Sequence, residues 1–254
     1  MVTAPRYNPL ARAAESYWIQ SRQPLASLVF IAPLLMIYEA GVLVLGPNNV
    51  RNGADAWLRR LLDLAGFGQY FLLPTITVCV LLGWHYTTRG PWRLSGRVLY
   101  GMTVECTALA IVLRVLLQLQ GALLRSTANA ISAVPDGRPP VLSVSATVGN
   151  AVSYLGAGIY EELLFRLILL SLVVLLLRRF TAVQRFSLPL AVLVTSLLFA
   201  GAHNVAGESF QWFSFLFRSL AGAFFSVLFV YRGFGIAAGT HAGYDILIGV
   251  FVGR

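Results

Sequence analysis

One stretch of sequence decides how this chain folds: Gly158-Ile159-Tyr160-Glu161-Glu162-Leu163-Leu164-Phe165-Arg166. It lies inside an apolar run, from Val141 to Leu177, that is suited to a lipid-spanning helix. A charge at the centre of a bilayer costs at least ~2.5 kcal/mol, so three charged groups there need a physical reason. On a helix, Glu162 and Arg166 are four positions apart and neutralise each other. Glu161 points about 100° away and keeps a free carboxylate, so we interpret Glu162 as structural and Glu161 as functional.

The composition of the whole chain is that of an integral membrane protein. Of its 254 residues, 57% are hydrophobic and only 11% are charged, whereas a soluble domain carries about 25% charged residues. At ~20 residues for each membrane-spanning helix, the length accommodates seven or eight spans. The predicted fold class is therefore all-α, a polytopic membrane helix bundle.

The charge of the chain points to a membrane surface and not to nucleic acid. The formal net charge is +9, and all 19 basic residues are Arg. These Arg residues cluster near the ends of apolar segments, where they set topology and contact anionic lipid headgroups. We expect a multi-pass protein of the bacterial inner (plasma) membrane, because an Arg-only choice of basic residues suggests a GC-rich genome.

The predicted helices follow the apolar runs. We expect a break near Gly156 and Gly158 that separates a helix at 143–157 from a span at 159–178. The count is eight if 143–157 crosses the membrane and seven if it does not, and the placement of the Arg loops favours seven. The segment 46–66, with Trp57, is amphipathic and suits the membrane surface. The other predicted spans are about 25–45, 70–86, 98–119, 187–202, 210–231 and 235–251.

Two of the three histidines lie in apolar spans downstream of the glutamate pair. His203 shares a helical face with Phe199, and His241 shares one with Asp245. Buried ionisable groups are costly alone and satisfy one another together, so we expect these side chains to converge with Glu161 on one polar cavity. A small-residue stripe, Gly235, Gly239 and Gly243, would allow the helix of His241 to pack closely against its partner helix.

These residue types support two kinds of hydrolytic chemistry. A carboxylate and a neutral imidazole aimed at one water make a general base, and a second imidazole with its neighbour can donate to a developing oxyanion. Alternatively, two His and a Glu bind zinc, which lowers the pKa of its bound water. The sequence contains neither HExxH nor GxSxG, which argues against a zincin helix and against acyl-enzyme chemistry.

The three motifs together resemble the CPBP family, the CAAX-protease and bacteriocin-processing (Abi) enzymes that include type II CAAX prenyl endopeptidases. The motifs are Glu161-Glu162-x-x-x-Arg166, Phe199-x-x-x-His203 and His241-x-x-x-Asp245, in that order. The resemblance covers about residues 155–250. It implies a catalytic helix core over 141–254, whereas 1–140 holds N-terminal spans and loops of unknown role in the same membrane domain.

The resemblance also implies a role for each matching residue. Glu161 and His203 would activate the water, His241 and Asp245 would form the oxyanion side, and Glu162 with Arg166 would brace the site. Many members have Asn where this chain has Asp245, and an ionised Asp cannot donate to an oxyanion. Asp245 is therefore protonated, orients His241 or ligates a metal. The cofactor is accordingly none or zinc, and if a metal is present its expected ligands are Glu161, His203 and His241.

The predicted function is an intramembrane endopeptidase whose partners are the lipid bilayer and a membrane-associated protein or peptide substrate. The resemblance does not imply a prenylated substrate. Two rivals remain open at this point. One is a non-enzymatic bacteriocin-immunity or partner-binding protein that keeps the cavity. The other is a transporter with Glu39, Glu105, Arg114 and Arg218 in its path, although the internal symmetry common in transporters is not visible.

Overall fold

The computed structural model describes residues 17–128, 144–205 and 210–251, and over these residues the chain is helical without strands. This confirms the all-α prediction. The predicted boundary at 140/141 lies outside the described residues. The helices, in chain order, are α1 (Pro24–Leu45), α2 (Pro47–Val50), α3 (Gly53–Leu64), α4 (Leu72–Thr88), α5 (Gly96–Ala128), α6 (Val144–Glu162), α7 (Ser171–Leu177), α8 (Ser187–Val205), α9 (Trp212–Arg232) and α10 (Phe234–Phe251).

Within the described ranges, four helical segments are long and apolar enough to cross a membrane, and Leu72–Thr88 is apolar but shorter. The four are Pro24–Leu45, Gly96–Leu123, Gln184–His203 and Trp212–Arg232. Many large apolar side chains on these helices face outward, as lipid contact requires. The chain is an integral membrane protein, and the count of seven or eight spans stays a prediction.

The predicted helix break before the glutamate pair is wrong. α6 runs without interruption from Val144 through Gly156 and Gly158 to Glu162. The irregularity comes afterwards, as a π-helical segment, Leu163–Leu170, that continues directly into α7. Glycine weakens a helix by only about 0.5–1 kcal/mol, which the packing of neighbouring helices readily outweighs. A π-helix is uncommon and is found mostly at functional sites, and here it carries Arg166.

Helix α10 is the centre of the bundle, because it packs against α1, α5, α6 and α9. The predicted glycine stripe does allow close approach, and the helices that approach it are α1 and α5. A Cβ on Gly235 would lie 2.8 Å from the Cα of Ser27 in α1, and one on Gly239 would lie 2.8 Å from the Sγ of Cys106 in α5. The helix that carries the glutamate pair is seated by a different glycine, Gly158.

At Gly158 the backbones of α6 and α10 nearly touch. A Cβ added there would lie 2.7 Å from the carbonyl oxygen of Ala238 and 2.7 Å from the backbone nitrogen of Ala242. Neither backbone atom can move aside without shifting a helix. Gly158 precedes Glu161 by three positions, and Ala242 follows His241. This contact therefore sets the distance between the glutamate pair and His241.

In the segment 46–66, helix α3 buries charged side chains against the protein, and its predicted place on the membrane surface stays a prediction. Asp55 is fully buried and Arg59 is 9% exposed. The Nε of Arg59 donates to Asp55 at 2.6 Å, and its Nη2 donates to Glu39 of α1 at 3.0 Å. Because these charges neutralise one another, the polar face of α3 turns inward and Trp57 is left partly exposed.

The first prediction tests the contact at Gly158. Gly158→Ala should force α6 and α10 apart, which lowers the thermal midpoint in detergent and misplaces Glu162 relative to His241; overpacking of this kind costs about 1–3 kcal/mol. Gly149→Ala is the matched control, since it lies on the same helix and an added Cβ meets no atom within 4 Å. Equal midpoints for the two variants would contradict this account of the helix contact.

Candidate active site

The centre of the site is the carboxylate of Glu161, which faces two imidazoles. Its Oε2 lies 3.9 Å from the Nε2 of His203 and 3.8 Å from the Nε2 of His241. This oxygen is buried and receives no hydrogen bond from a described side chain. A buried polar atom normally has a partner. A water oxygen at about 2.8 Å from both the carboxylate and an imidazole fits these separations.

The orientation of His203 is fixed by its own helix. Its Nδ1 lies 2.9 Å from the carbonyl oxygen of Phe199, one turn earlier. A carbonyl oxygen only accepts hydrogen bonds, so Nδ1 carries the proton and Nε2 presents a lone pair toward Glu161. The ring of Phe199 also packs edge-on against His203, with centroids 5.0 Å apart. The four-residue spacing of Phe199 and His203 thus sets the tautomer of the His203 ring as well as the helical face on which it lies.

His241 is held from two directions. Its Nδ1 lies 2.7 Å from the Oε1 of Glu162, so an ionised Glu162 accepts the Nδ1 proton and Nε2 is turned toward Glu161. Phe225 of α9 stacks on the imidazole at a centroid distance of 4.5 Å and an interplanar angle of 14°. Carboxylates orient catalytic and metal-binding imidazoles in the same way. Glu162, interpreted from sequence as a structural residue, also positions His241.

The predicted pairing of Glu162 with Arg166 is present in the structure. The Nη1 of Arg166 lies 3.0 Å from the Oε1 of Glu162, and both side chains are almost completely buried. The guanidinium also lies over the ring of Phe199, 4.3 Å from its centroid, and Nη2 donates to the carbonyl oxygen of Gly222 at 3.4 Å. Cation–π contact and backbone donation compensate part of the cost of burying this charge.

Asp245 lies one turn after His241, as predicted, and its Oδ2 is 3.5 Å from the Nε2 of His241. The two groups therefore lie side by side on one face of the same helix. Asp245 is partly accessible, with 24% of its side chain exposed, whereas the side chain of His241 is 6% exposed. A substrate atom that reaches Nε2 of His241 also reaches the carboxyl group of Asp245.

The structure brings Glu161, Phe199, His203, His241 and Asp245 together around one cavity of about 330 Å³. Residues distant in the sequence thus line one polar chamber, with aromatic walls from α9. Glu162 and Arg166 lie behind the chamber and do not line it. The remaining lining residues are Leu117, Phe213, Ser214, Phe217, Arg218, Ala221, Phe225 and Tyr244.

Sequence reasoning missed two residues that shape the site. Phe225 stacks on His241, and the carbonyl of Gly222 accepts from Arg166; both belong to α9. No motif marks either residue, because an aromatic side chain in an apolar helix is the ordinary case. The one feature of the sequence that indicates this contact is Gly222 itself, where an added Cβ would lie 3.0 Å from the Cα of Ser196 in α8. Small residues of this kind mark close helix contacts in membranes.

The donors at the centre of the site are of types that zinc accepts, namely two imidazole nitrogens and one carboxylate oxygen. Their spacing is wider than that of bound ligands. Tetrahedral ligands at the usual bond lengths lie about 3.3 Å apart, whereas the separations here are 3.8 and 3.9 Å. Across the described ranges, no three His, Cys, Asp or Glu side chains are grouped to hold an ion. As placed, these side chains do not form a tetrahedral zinc site.

Comparison with known proteins bears on the same part of the chain. The model of one protein family, type II CAAX prenyl endopeptidase Rce1-like, matches residues 143–247. Searches of curated proteins and of solved structures gave no match. The matched residues contain all three motifs. They therefore include Glu162 and four of the polar residues that line the cavity, namely Glu161, His203, His241 and Asp245. Residues 143–247 therefore match the Rce1-like family of type II CAAX prenyl endopeptidases, which confirms the resemblance seen in the motifs.

Proposed function

We propose that this protein is an intramembrane endopeptidase that hydrolyses a peptide bond of a membrane-associated protein or peptide with a water activated by Glu161 and His203. The observation that carries the proposal is the buried Oε2 of Glu161, which faces the Nε2 atoms of two imidazoles whose orientations are set by other contacts. A preorganised base costs little reorganisation when the reaction occurs.

In the proposed reaction Glu161 accepts one proton from the attacking water, while the lone pair of His203 Nε2 orients that water. The water oxygen bonds to the carbonyl carbon of the substrate and the carbonyl oxygen becomes an oxyanion. As the carbon–nitrogen bond breaks, the proton held by Glu161 passes to the leaving amine. The products are a carboxylic acid and an amine, and Glu161 returns to its starting state.

The oxyanion is stabilised on the opposite side of the chamber. Nδ1 of His241 donates to Glu162, so Nε2 can donate to the oxyanion only when the ring is an imidazolium, and this is the form in which His241 acts in the proposed reaction. The carboxylate oxygens of Glu162 and Glu161 lie 2.7 Å from Nδ1 and 3.8 Å from Nε2 of that ring and supply the countercharge. Asp245 donates as well if its carboxyl group is protonated.

The two rival functions fit the contacts less well. A transporter was expected to place Glu39 and Glu105 in one path, but Glu39 pairs with Arg59 and Glu105 pairs with Arg232 at 2.6 Å. A non-enzymatic scaffold has no need for a buried, unsatisfied carboxylate oxygen. We further propose seven or eight spans in a bacterial inner membrane, with residues 141–254 as the catalytic core and 1–140 as accessory spans.

The second prediction separates catalysis from stability. Glu161→Gln should abolish peptide cleavage, a loss of at least ~10²-fold in kcat/KM, with an unchanged thermal midpoint. Arg166→Ala should also lower the midpoint, because it leaves Glu162 buried without its countercharge, and breaking such a pair costs about 3–5 kcal/mol. Cleavage of peptides in proteoliposomes and thermal unfolding in detergent measure the two effects. Equal loss of stability in both variants would show that the two glutamates have been assigned to the wrong roles.

The third prediction concerns Asp245. If it donates to the oxyanion as a neutral acid, Asp245→Asn should keep or raise activity and extend it to higher pH, because an amide donates at any pH. The pH–rate profiles of the wild type and of Asp245→Asn, measured on the same cleaved peptide, test this. A strong loss of activity in Asp245→Asn would show instead that an ionised carboxylate orients His241 or binds a metal.

The fourth prediction concerns metal dependence. From the ligand spacing we expect purified, active protein to contain no stoichiometric zinc and to keep its activity after dialysis against a chelator. Anomalous scattering at the zinc edge and atomic emission measure the metal content directly. Stoichiometric zinc, together with loss of activity on chelation and recovery with added zinc, would replace the metal-independent mechanism.

A further inference from the structure

A second, smaller cavity also reaches Glu161 and His203. Its volume is about 190 Å³, and its other walls are Gly53, Ala54 and Trp57 of α3 together with Phe165 and Ala202. Among the residues that the structure describes, Glu161 and His203 alone line both this cavity and the 330 Å³ chamber. The proposed catalytic pair therefore stands between two cavities.

The two cavities differ in chemistry. The larger chamber contains Arg218, His241 and Asp245, as well as the hydroxyl of Ser214. Within the described ranges, the smaller one is lined by no polar side chain apart from Glu161 and His203, and its other walls are glycine, alanine and aromatic rings. Ligand sites for drug-sized molecules usually enclose about 300–1,000 Å³, so 190 Å³ suits one amino-acid side chain.

The wall formed by α3 is held rigidly. The Nη2 of Arg59 donates to Glu39, and the hydroxyl of Tyr160 donates to the same carboxylate at 2.6 Å. Asp55 accepts from Arg59 at 2.6 Å and from the hydroxyl of Tyr38 at 2.8 Å. All of these side chains are buried, so a change in any of them leaves an unsatisfied group in the interior.

The same network reaches the catalytic residue. Tyr160 immediately precedes Glu161 on α6, and it shares Glu39 with the arginine that anchors α3. The buried contacts thus fix α3 and the backbone beside Glu161 relative to each other. Because α3 is held at a fixed distance from Glu161, it can select among substrates. A substrate that fits poorly against α3 is displaced from Glu161, and small displacements of the reacting atoms lower the rate strongly.

We infer that the 190 Å³ cavity binds an apolar side chain of the substrate residue beside the scissile bond, which makes α3 the element that determines sequence specificity. The inference rests on the proposed peptidase function. Consecutive Cα atoms of a peptide are 3.8 Å apart, so a residue next to the attacked carbonyl lies within reach of the cavity. Leucine, isoleucine, methionine and phenylalanine match its lining.

The test fills the cavity from Gly53. Gly53 lines the cavity, and an added Cβ there meets no atom within 4 Å, so Gly53→Leu adds apolar volume at the cavity wall. The matched control is Gly83→Leu on α4, where an added Cβ likewise meets nothing. The probe is a mixture of synthetic peptides with randomised sequences and a common hydrophobic anchor, incubated with the full chain in proteoliposomes, and the cleavage positions are read by mass spectrometry.

We expect the wild type to prefer a large apolar residue at one position beside the cleaved bond. Gly53→Leu should lower kcat/KM for those peptides by at least ~10-fold more than for peptides with Gly or Ala at that position, which is the effect of displacing a few methylene groups. Gly83→Leu should behave like the wild type. An unchanged preference in Gly53→Leu, or the same change in Gly83→Leu, overturns the inference.

Retention of the same peptides by Glu161→Gln protein separates this inference from the proposed function. If the protein retains these peptides selectively, Gly53→Leu removes that retention and the wild type cleaves none of them, the side-chain site is supported and the peptidase function is overturned. Cleavage without positional preference would support the peptidase and overturn the cavity. Absence of both retention and cleavage would overturn both.

Discussion

The structure depends on one buried carboxylate, that of Glu162, and its two partners. Arg166, on the same continuous helix, supplies the countercharge, and His241 on α10 supplies a hydrogen bond at 2.7 Å. Neither partner is dispensable, because a fully buried carboxylate that loses its compensation is strongly destabilising. The contact joins the glutamate helix to the central helix of the bundle. It also turns Nε2 of His241 toward Glu161, 3.8 Å away, so the same contact supports the bundle and orients a side chain of the proposed site.

Buried charge in this protein occurs in separate clusters, and each cluster ties distant segments together. Arg232 at the end of α9 binds Glu105 of α5, with further donation to Ser21. Arg59 of α3 binds Glu39 of α1, which Tyr160 also contacts. In lipid, apolar surfaces gain little by packing on one another, so polar contacts and close backbone approach hold helices together. These clusters hold α3 to α1 and α9 to α5 in this way.

The two adjacent glutamates lie on one helix but have different surroundings and different proposed roles. Glu162 turns toward Arg166 and His241, whereas Glu161, about 100° further round, turns toward the cavities. The π-helical segment begins at the next residue, and it carries Phe165 and Arg166 to the positions where they meet Phe199. A π-helix weakens the regular hydrogen bonding of the backbone, and such segments persist where the surrounding contacts require them.

The sequence by itself determined the features that follow from local spacing and from the solvent. Residues four positions apart share a helical face, which was enough to predict the Glu162–Arg166 pair, the Phe199–His203 contact and the neighbourhood of His241 and Asp245. The cost of isolated polar groups in lipid was enough to predict that these motifs converge. The tertiary structure alone decided which helices became neighbours and how each was rotated. In the tertiary structure α6 continues through Gly156 and Gly158 without a break, and Phe225 stacks on His241. The charged side chains of Asp55 and Arg59 on α3 face inward. Spacing along one helix contains no information about the rotation of another, because that rotation is set by side-chain packing across the whole bundle.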